Sequence, residues 1–347
     1  MTEDIPAQFF YSSVQNGRAV ALWRLPNQTN YNGISSNNFE HAKGQNKEGF
    51  CFMPFEKNES GFFIPADFTI EFSKEQFEKE IPTKYFGNLN RSTSFTEVEF
   101  VTAISKVKEQ MNSGELSKVV LSRNRFITLP TKFEVISFYK KLCDAYPHAF
   151  VFLVALPETG IWVGASPEIL LQANGQNMET VALAGTLRPG GESVWTEKEE
   201  QEQEIISQYI SQKLHEENIF NFKMGKTETI SIGQLKHLST GFSFNTNRYW
   251  WPIACSLHPT PAVCGYPQLK SYEQIHKLEP HHRGFYSGFC GPCNNQGSTH
   301  LYVNIRFMRL HLKEAELFAG AGITRQSDPY AEWKETEAKL QAIQQFI

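Results

Sequence analysis

Short apolar runs broken by polar turns recur along this chain, and they arrive in hairpin-like clusters instead of alternating strictly with helices. A parallel sheet needs a crossover between each pair of strands, so its strands and helices alternate; clustered strands suit short antiparallel connections. The pattern points to an α+β fold. Runs such as AVALWRL and GFFIPADFTIEF, set among Phe, Asn, Gly and Ser, make the first hundred residues read as strands and loops with little helix.

A helical period appears in FTEVEFVTAISKVKEQMNSGEL, where Phe95, Val98, Val101, Ile104 and Val107 share a face and Gly114 ends the helix. KVVLSRNRFITL then reads as a strand, FEVISFYKKLCDAY as a helix, and AFVFLVAL and IWVGAS as strands. TEKEEQEQEIISQYISQKLHEEN is a long helix that starts at the capping residue Thr196 with acids in its first turns. ETISIG and LKHLSTGFSFN, the loop SLHPTPAVCGYP, and the strand-like GFYSGFCG, THLYVNIRFMRL and AELFAGAGIT follow. DPYAEWKETEAKLQAIQQFI closes the chain as a helix.

Charge narrows the partners. The chain carries 33 basic and 37 acidic residues, a net charge of -4, with no long single-sign block, which offers nothing to a nucleic-acid backbone or an anionic membrane. MTEDIPAQFF is acidic and lacks an apolar core, and no run of about eighteen apolar residues occurs, so a soluble cytoplasmic protein is expected. Six cysteines are scattered except for Cys290 and Cys293 in FCGPCNN, which argues for a reducing compartment. That pair resembles a redox centre, but a reactive thiol needs a helix N-terminus, and NNQGSTHLYVNI leads into a strand. Nor do His281, His282 and His300 stand at zinc-ligand spacing to it. The pair is expected at a hairpin tip.

Other residues are candidates for chemistry. Glu202 precedes the apolar stripe Ile205, Ile206, Tyr209, Ile210 and Leu214, hence on the buried side of its helix. Glu335 and Lys339 share an edge of the last helix with Glu332, while Trp333, Leu340 and Ile343 lie on another side. Inward carboxylates on two helices suit a hard dication; the same spacing also suits a surface ion pair and a solvated Glu202. LHPTPA puts His258 between strand-like sequence and two prolines, which rigidify the loop. Small residues in LFAGAGI imply that something approaches that strand's backbone closely. Lys118 stands at the start of an apolar strand, and Glu168 just after a Ser-Pro turn.

In order, SKVVLSR, GASPEIL, ALAGT, EKEEQEQEI, LHPTPAVCGYP, YVNIRF and LFAGAGITRQSDPYAEWKETEAKL resemble the chorismate-utilising enzymes, from about Phe95 to the C-terminus. The resemblance implies two antiparallel sheets with flanking helices in one composite domain, with residues 1–92 as its strand-rich N-terminal part and 93–347 as the chorismate-binding region. It implies Lys118 as the base that activates water and Glu168 as the acid that protonates the departing hydroxyl, the first needing a depressed pKa and the second a raised one. It implies Glu202 and Glu335 as Mg²⁺ carboxylates, and Gly185, Thr186, His258, Arg306, Gly320, Gly322 and Lys339 as substrate contacts, Arg306 gripping a carboxylate through its planar guanidinium.

Within the family, Ala184 stands where aminodeoxychorismate-forming members carry a lysine, and EIISQYISQK replaces the VDLxRNDL-like segment of anthranilate synthase. The reading is a Mg²⁺-dependent isochorismate synthase, a monomer or weak homodimer serving menaquinone or siderophore synthesis. Salicylate synthase and then anthranilate synthase are the alternatives.

Overall fold

In the computed structural model, which describes residues 4–70, 79–86, 93–187, 194–232 and 235–347, every residue of the strand Phe150–Leu156 is buried although its side chains alternate between two faces. Phe150, Phe152, Val154 and Leu156 pack with Trp23, Phe50, Phe52 and Tyr302 between two sheets. Val151, Leu153 and Ala155 pack outward under Phe10, Tyr139 and Leu340, which belong to helices. A strand apolar on both faces therefore marks an inner layer covered on each side, and the chain forms a helix–sheet–sheet–helix sandwich.

Among the described residues one sheet runs, edge to edge, Gly265–Tyr266, Lys118–Thr128, Glu314–Ile323, Phe307–Leu310, Gly160–Ser166, Phe150–Leu156, Ala19–Arg24, Asn32–Ser36 and Phe68–Thr69. The other runs Phe222–Met224, Leu235–Asn245, Asn177–Leu187, Ile169–Asn174, Ser298–Val303, Phe289–Cys293, Gly49–Met53, Phe62–Pro65 and Glu40–His41, with Glu228–Ile232 also on Leu235–Asn245. The helices Ile5–Gln15, Val135–Ala145 and Pro329–Gln344 cover the first sheet, and Glu197–Glu216 and Trp250–Leu257 cover the second. Ile104 and Val107 of the helix Glu97–Asn112 and Ile275 of the helix Gln268–Leu278 close the end of the first sheet around Val119, Leu121, Ala321 and Ile323. No helix among the described residues is long and apolar enough to cross a membrane.

The helix starts follow their capping residues. Thr196 and Glu199 form a capping box, the Thr196 N–H donating to Glu199 Oε2 at 3.0 Å, and Asp328 caps the last helix with Pro329 in its first turn. Four expectations are corrected. The chain opens with a helix, Ile5–Gln15, capped by Asp4, where strands and loops were expected. In Glu97–Asn112 the buried stripe is Phe100, Ala103, Ile104, Val107 and Met111, while Val98 is 75% exposed. The HPTP loop follows a helix and not a strand. Cys290 and Cys293 lie inside the buried strand Phe289–Cys293, and the turn comes after them at residues 294–297, because Pro292 pairs with Phe50 and Cys293 with Gly49.

Candidate active site

Lys118 opens its strand and is only 4% exposed. The neighbouring strand Glu314–Ile323 pairs with it antiparallel, placing Val120 opposite Gly322 and Ser122 opposite Gly320. The small residues there leave room for other side chains. A Cβ at Gly322 would meet Lys118 Cε at 3.0 Å, Lys118 Nζ at 3.6 Å and Glu202 Oε1 at 3.7 Å, and one at Gly320 would meet the Tyr286 hydroxyl at 3.1 Å. Lys118, from the first sheet, and Glu202, from a helix on the second, thus converge on one glycine.

Glu168 lies between the strands Gly160–Ser166 and Ile169–Asn174 and is 8% exposed. Its N–H donates to Ser166 Oγ at 3.2 Å, and the Thr260 hydroxyl donates to its Oε1 at 3.3 Å. Burial raises its pKa to about 7, against the lowering effects of Lys118, the Thr260 hydroxyl and Lys339. A carboxyl in this setting holds a proton close to neutrality beside two cations.

Lys339 reaches over from the last helix. Its ammonium donates to the Gly320 carbonyl at 2.7 Å and pairs with Glu335 Oε1 at 2.7 Å. Desolvation by the surrounding protein opposes its charge, but the Glu335 carboxylate outweighs this and raises its pKa, while 46% of the side chain stays accessible. The helix is fixed to the sheet through buried Arg123, which donates to Thr336 Oγ1 at 2.7 Å, pairs with Glu337 and lies 3.9 Å over the Trp333 ring. Arg306 sits in the link between Ser298–Val303 and Phe307–Leu310 at φ +48°, not within a strand. Gly185 adopts φ +66°, and a Cβ there would come within 2.9 Å of the Trp195 ring and 3.1 Å of Glu199. Its neighbour Thr186 is described in its backbone only; the side chain lies outside the described residues.

Comparison with known proteins adds the decisive observation: a family model described as chorismate binding enzyme matches residues 67–347. The chain belongs to the chorismate-binding enzyme family. It is 30% identical over 313 residues to the isochorismate synthase EntC of Escherichia coli (strain K12), covering 84% of this chain and 78% of that one. It is 28% identical over 312 residues to the vibriobactin-specific isochorismate synthase of Vibrio cholerae serotype O1, covering 85% and 78%. The fold matches that of MenF, the menaquinone-specific isochorismate synthase of Escherichia coli, with a TM-score of 0.80 at 18% identity over 94% of this chain and 88% of that one.

Two histidines of this chorismate-binding enzyme stand in contrast. His258, preceding a cis Pro259, places Nε2 3.1 Å from the Phe55 carbonyl, and burial lowers its pKa to about 4; the cation that acts on it is Lys57. His237, which the sequence reading passed over inside LKHLST, places Nδ1 2.7 Å from the Gly185 carbonyl. Burial lowers its pKa, and Arg306 and Lys339 lower it further, so His237 shares the surroundings of those two site residues. Thr260 and Tyr286 were also passed over. Thr260 was detectable as the only hydroxyl in the LHPTPAV loop; Tyr286 carried no signal beyond an aromatic in a strand-like run, and the structure places it in a turn.

The carboxylates suit a hard cation by chemistry. Glu202 is half-buried beside Lys118, and Glu335 is half-buried beside Lys339. Glu332 behind it is buried and accepts from the Ser327 hydroxyl at 2.7 Å. No cluster of three or more His, Cys, Asp or Glu ligands occurs among the described residues. An ion held here would complete its shell from water and substrate oxygens, which is the habit of Mg²⁺.

Proposed function

We propose that this enzyme is an isochorismate synthase that converts chorismate to isochorismate by adding water at carbon 2 and expelling the carbon 4 hydroxyl. The observation that carries the reading is a buried carboxyl, Glu168, with its pKa raised to about 7, beside a buried lysine that faces the Gly322 backbone. The names of the relatives EntC and MenF support the same reaction.

In this reading Lys118 takes a proton from water as its oxygen bonds to carbon 2. The ring double bonds shift, and Glu168 protonates the carbon 4 hydroxyl, which leaves as water. One water enters and one departs, so the product is an isomer of the substrate. Arg306 and Lys339 offer cationic partners for the two substrate carboxylates, and the Gly320–Gly322 backbone lets the ring lie close to the sheet. Glu202 and Glu335 would hold Mg²⁺, which neutralises repulsion between a dianionic substrate and the acidic side of the site. Ala184, 8% exposed, supplies no amine for a covalent route.

Incubation of the purified protein with chorismate and Mg²⁺, followed by chromatography and mass spectrometry, tests the proposal. The expected product has the mass of chorismate and a different retention time. Salicylate with pyruvate, or anthranilate when ammonium is supplied, would replace this reading with one of its rivals.

A further inference from the structure

Behind the site, on the edge of the Lys118 strand that faces away from Gly320 and Gly322, lies an ion pair that the proposed chemistry does not use. Glu279 and Arg283 are each 2% exposed and are joined by two hydrogen bonds, Nε to Oε2 at 2.9 Å and Nη2 to Oε1 at 2.5 Å. The short strand Gly265–Tyr266 pairs with this edge at Val119 and Lys118, and the Val120 N–H donates to the Cys264 carbonyl at 2.9 Å. Beyond it, side chains take the place of a neighbouring strand. Arg283 Nη2 donates to the Val120 carbonyl at 2.7 Å and Nη1 to the Val263 carbonyl at 2.8 Å. The Ser122 N–H donates to Glu279 Oε1 at 2.6 Å, and its hydroxyl donates to Oε2 at 3.0 Å.

Val120 and Ser122 are the residues whose opposite edges pair with Gly322 and Gly320. The ion pair therefore holds one side of a strand whose other side forms the floor of the site, two residues from Lys118. A buried ion pair adds little stability over well-packed apolar side chains, so its presence is better explained by what it fixes. Side-chain partners on both the Val120 carbonyl and the Ser122 N–H define the position of this strand segment along and across the sheet.

We propose that Glu279 and Arg283 are positioning residues that set Lys118 against Gly322 by bracing the edge of its strand where the pairing with Gly265–Tyr266 ends. This rests on the reading of Lys118 as the base. The test uses Arg283→Lys, which keeps the charge but cannot reach Val120, Val263 and Glu279 together, and Glu279→Asp, which shortens the reach to Ser122. For each, kcat and KM for chorismate and the amide exchange of residues 117–124 are measured below the unfolding temperature. The expected result is a kcat lower by roughly 10- to 100-fold with KM unchanged, faster exchange in 117–124 and unaltered exchange in 150–156. Folded variants with wild-type kcat, or with unaltered exchange in 117–124, overturn the proposal. Should both variants fail to fold, Ser122→Ala removes only the hydroxyl, with its contacts to Glu279 and His281, and keeps the N–H bond to Glu279. Faster exchange in 117–124 with lower kcat then supports the proposal, and no change in either overturns it. If the wild-type protein makes no isochorismate, the functional reading fails by itself, while the exchange comparison still decides whether the pair braces the strand.

Discussion

At Glu168 opposing influences meet: burial raises the pKa to about 7, while Lys118, the Thr260 hydroxyl and Lys339 pull it down. An acid that must hold its proton loses activity as pH rises through that value, so kcat/KM should show a limb falling above about pH 7. Thr260→Val removes one of the lowering influences and should move this limb to higher pH; a pH–rate profile with an unmoved limb would show that another group is the acid. The same shift affects stability in a defined direction. The folded carboxyl holds its proton to higher pH than the unfolded one, whose value is 4.5, so stability declines as pH rises from there to about 7. In the proposed reaction Lys118 takes the complementary role of base, and Lys118→Ala should cost about 10²- to 10⁴-fold in kcat without altering the circular dichroism spectrum. Residual turnover near wild type would assign the base elsewhere.

Elements show where the sequence was readable and where it was not. The Glu197–Glu216 and Pro329–Gln344 helices announce themselves through Thr196 and Asp328, because a cap is a local interaction. The small residues of LFAGAGI likewise foretold the close approach of Lys118 and Glu202 at Gly322. By contrast, Cys290 and Cys293 were misplaced because Gly291-Pro292 resembles a turn, whereas pairing with Gly49–Met53 decides the matter and is distant in sequence. Gly291 takes φ +154° with its Cβ position 1.9 Å from the His300 carbonyl, a constraint that no local pattern reveals. Replacing both cysteines by serine should therefore leave kcat intact and lower stability by about 1–3 kcal/mol for each buried hydroxyl left without a partner. Thermal unfolding and turnover measured on one preparation separate the two effects, and loss of kcat would restore a chemical role for the pair. In the last helix, Glu335 and Lys339 stand one turn apart on a segment held by Arg123. Glu335→Gln should raise the Mg²⁺ concentration for half-maximal activity by roughly tenfold or more, and an unchanged metal titration would remove Glu335 from the ligand set.

The whole molecule depends on residues that precede the motifs SKVVLSR to AEWKETEAKL. Ala19–Arg24, Asn32–Ser36 and Phe68–Thr69 form one end of the first sheet, and Gly49–Met53, Phe62–Pro65 and Glu40–His41 form one end of the second. They supply Trp23, Phe50, Phe52 and Ile64 to the layer between the sheets and Val20 and Leu22 to the layer beneath the helices. The Phe55 carbonyl also receives the Tyr272 hydroxyl at 3.1 Å and lies at the same distance from His258, which ties this region to the HPTP loop and, through Thr260, to Glu168. Truncating even one buried Phe or Trp side chain costs about 3–5 kcal/mol, against a total stability of about 5–15 kcal/mol for a domain. Removing several at once exceeds that margin, and it also uncovers the edges of Phe150–Leu156 and Phe289–Cys293, which would offer unpaired backbone to other chains. A fragment spanning residues 93–347, which retains Lys118, Glu168, Glu202 and Glu335, should therefore aggregate or lack a cooperative thermal transition and show no turnover. A soluble fragment with a sharp transition and wild-type kcat would mean that the chorismate-binding region folds without the strands that complete both of its sheets.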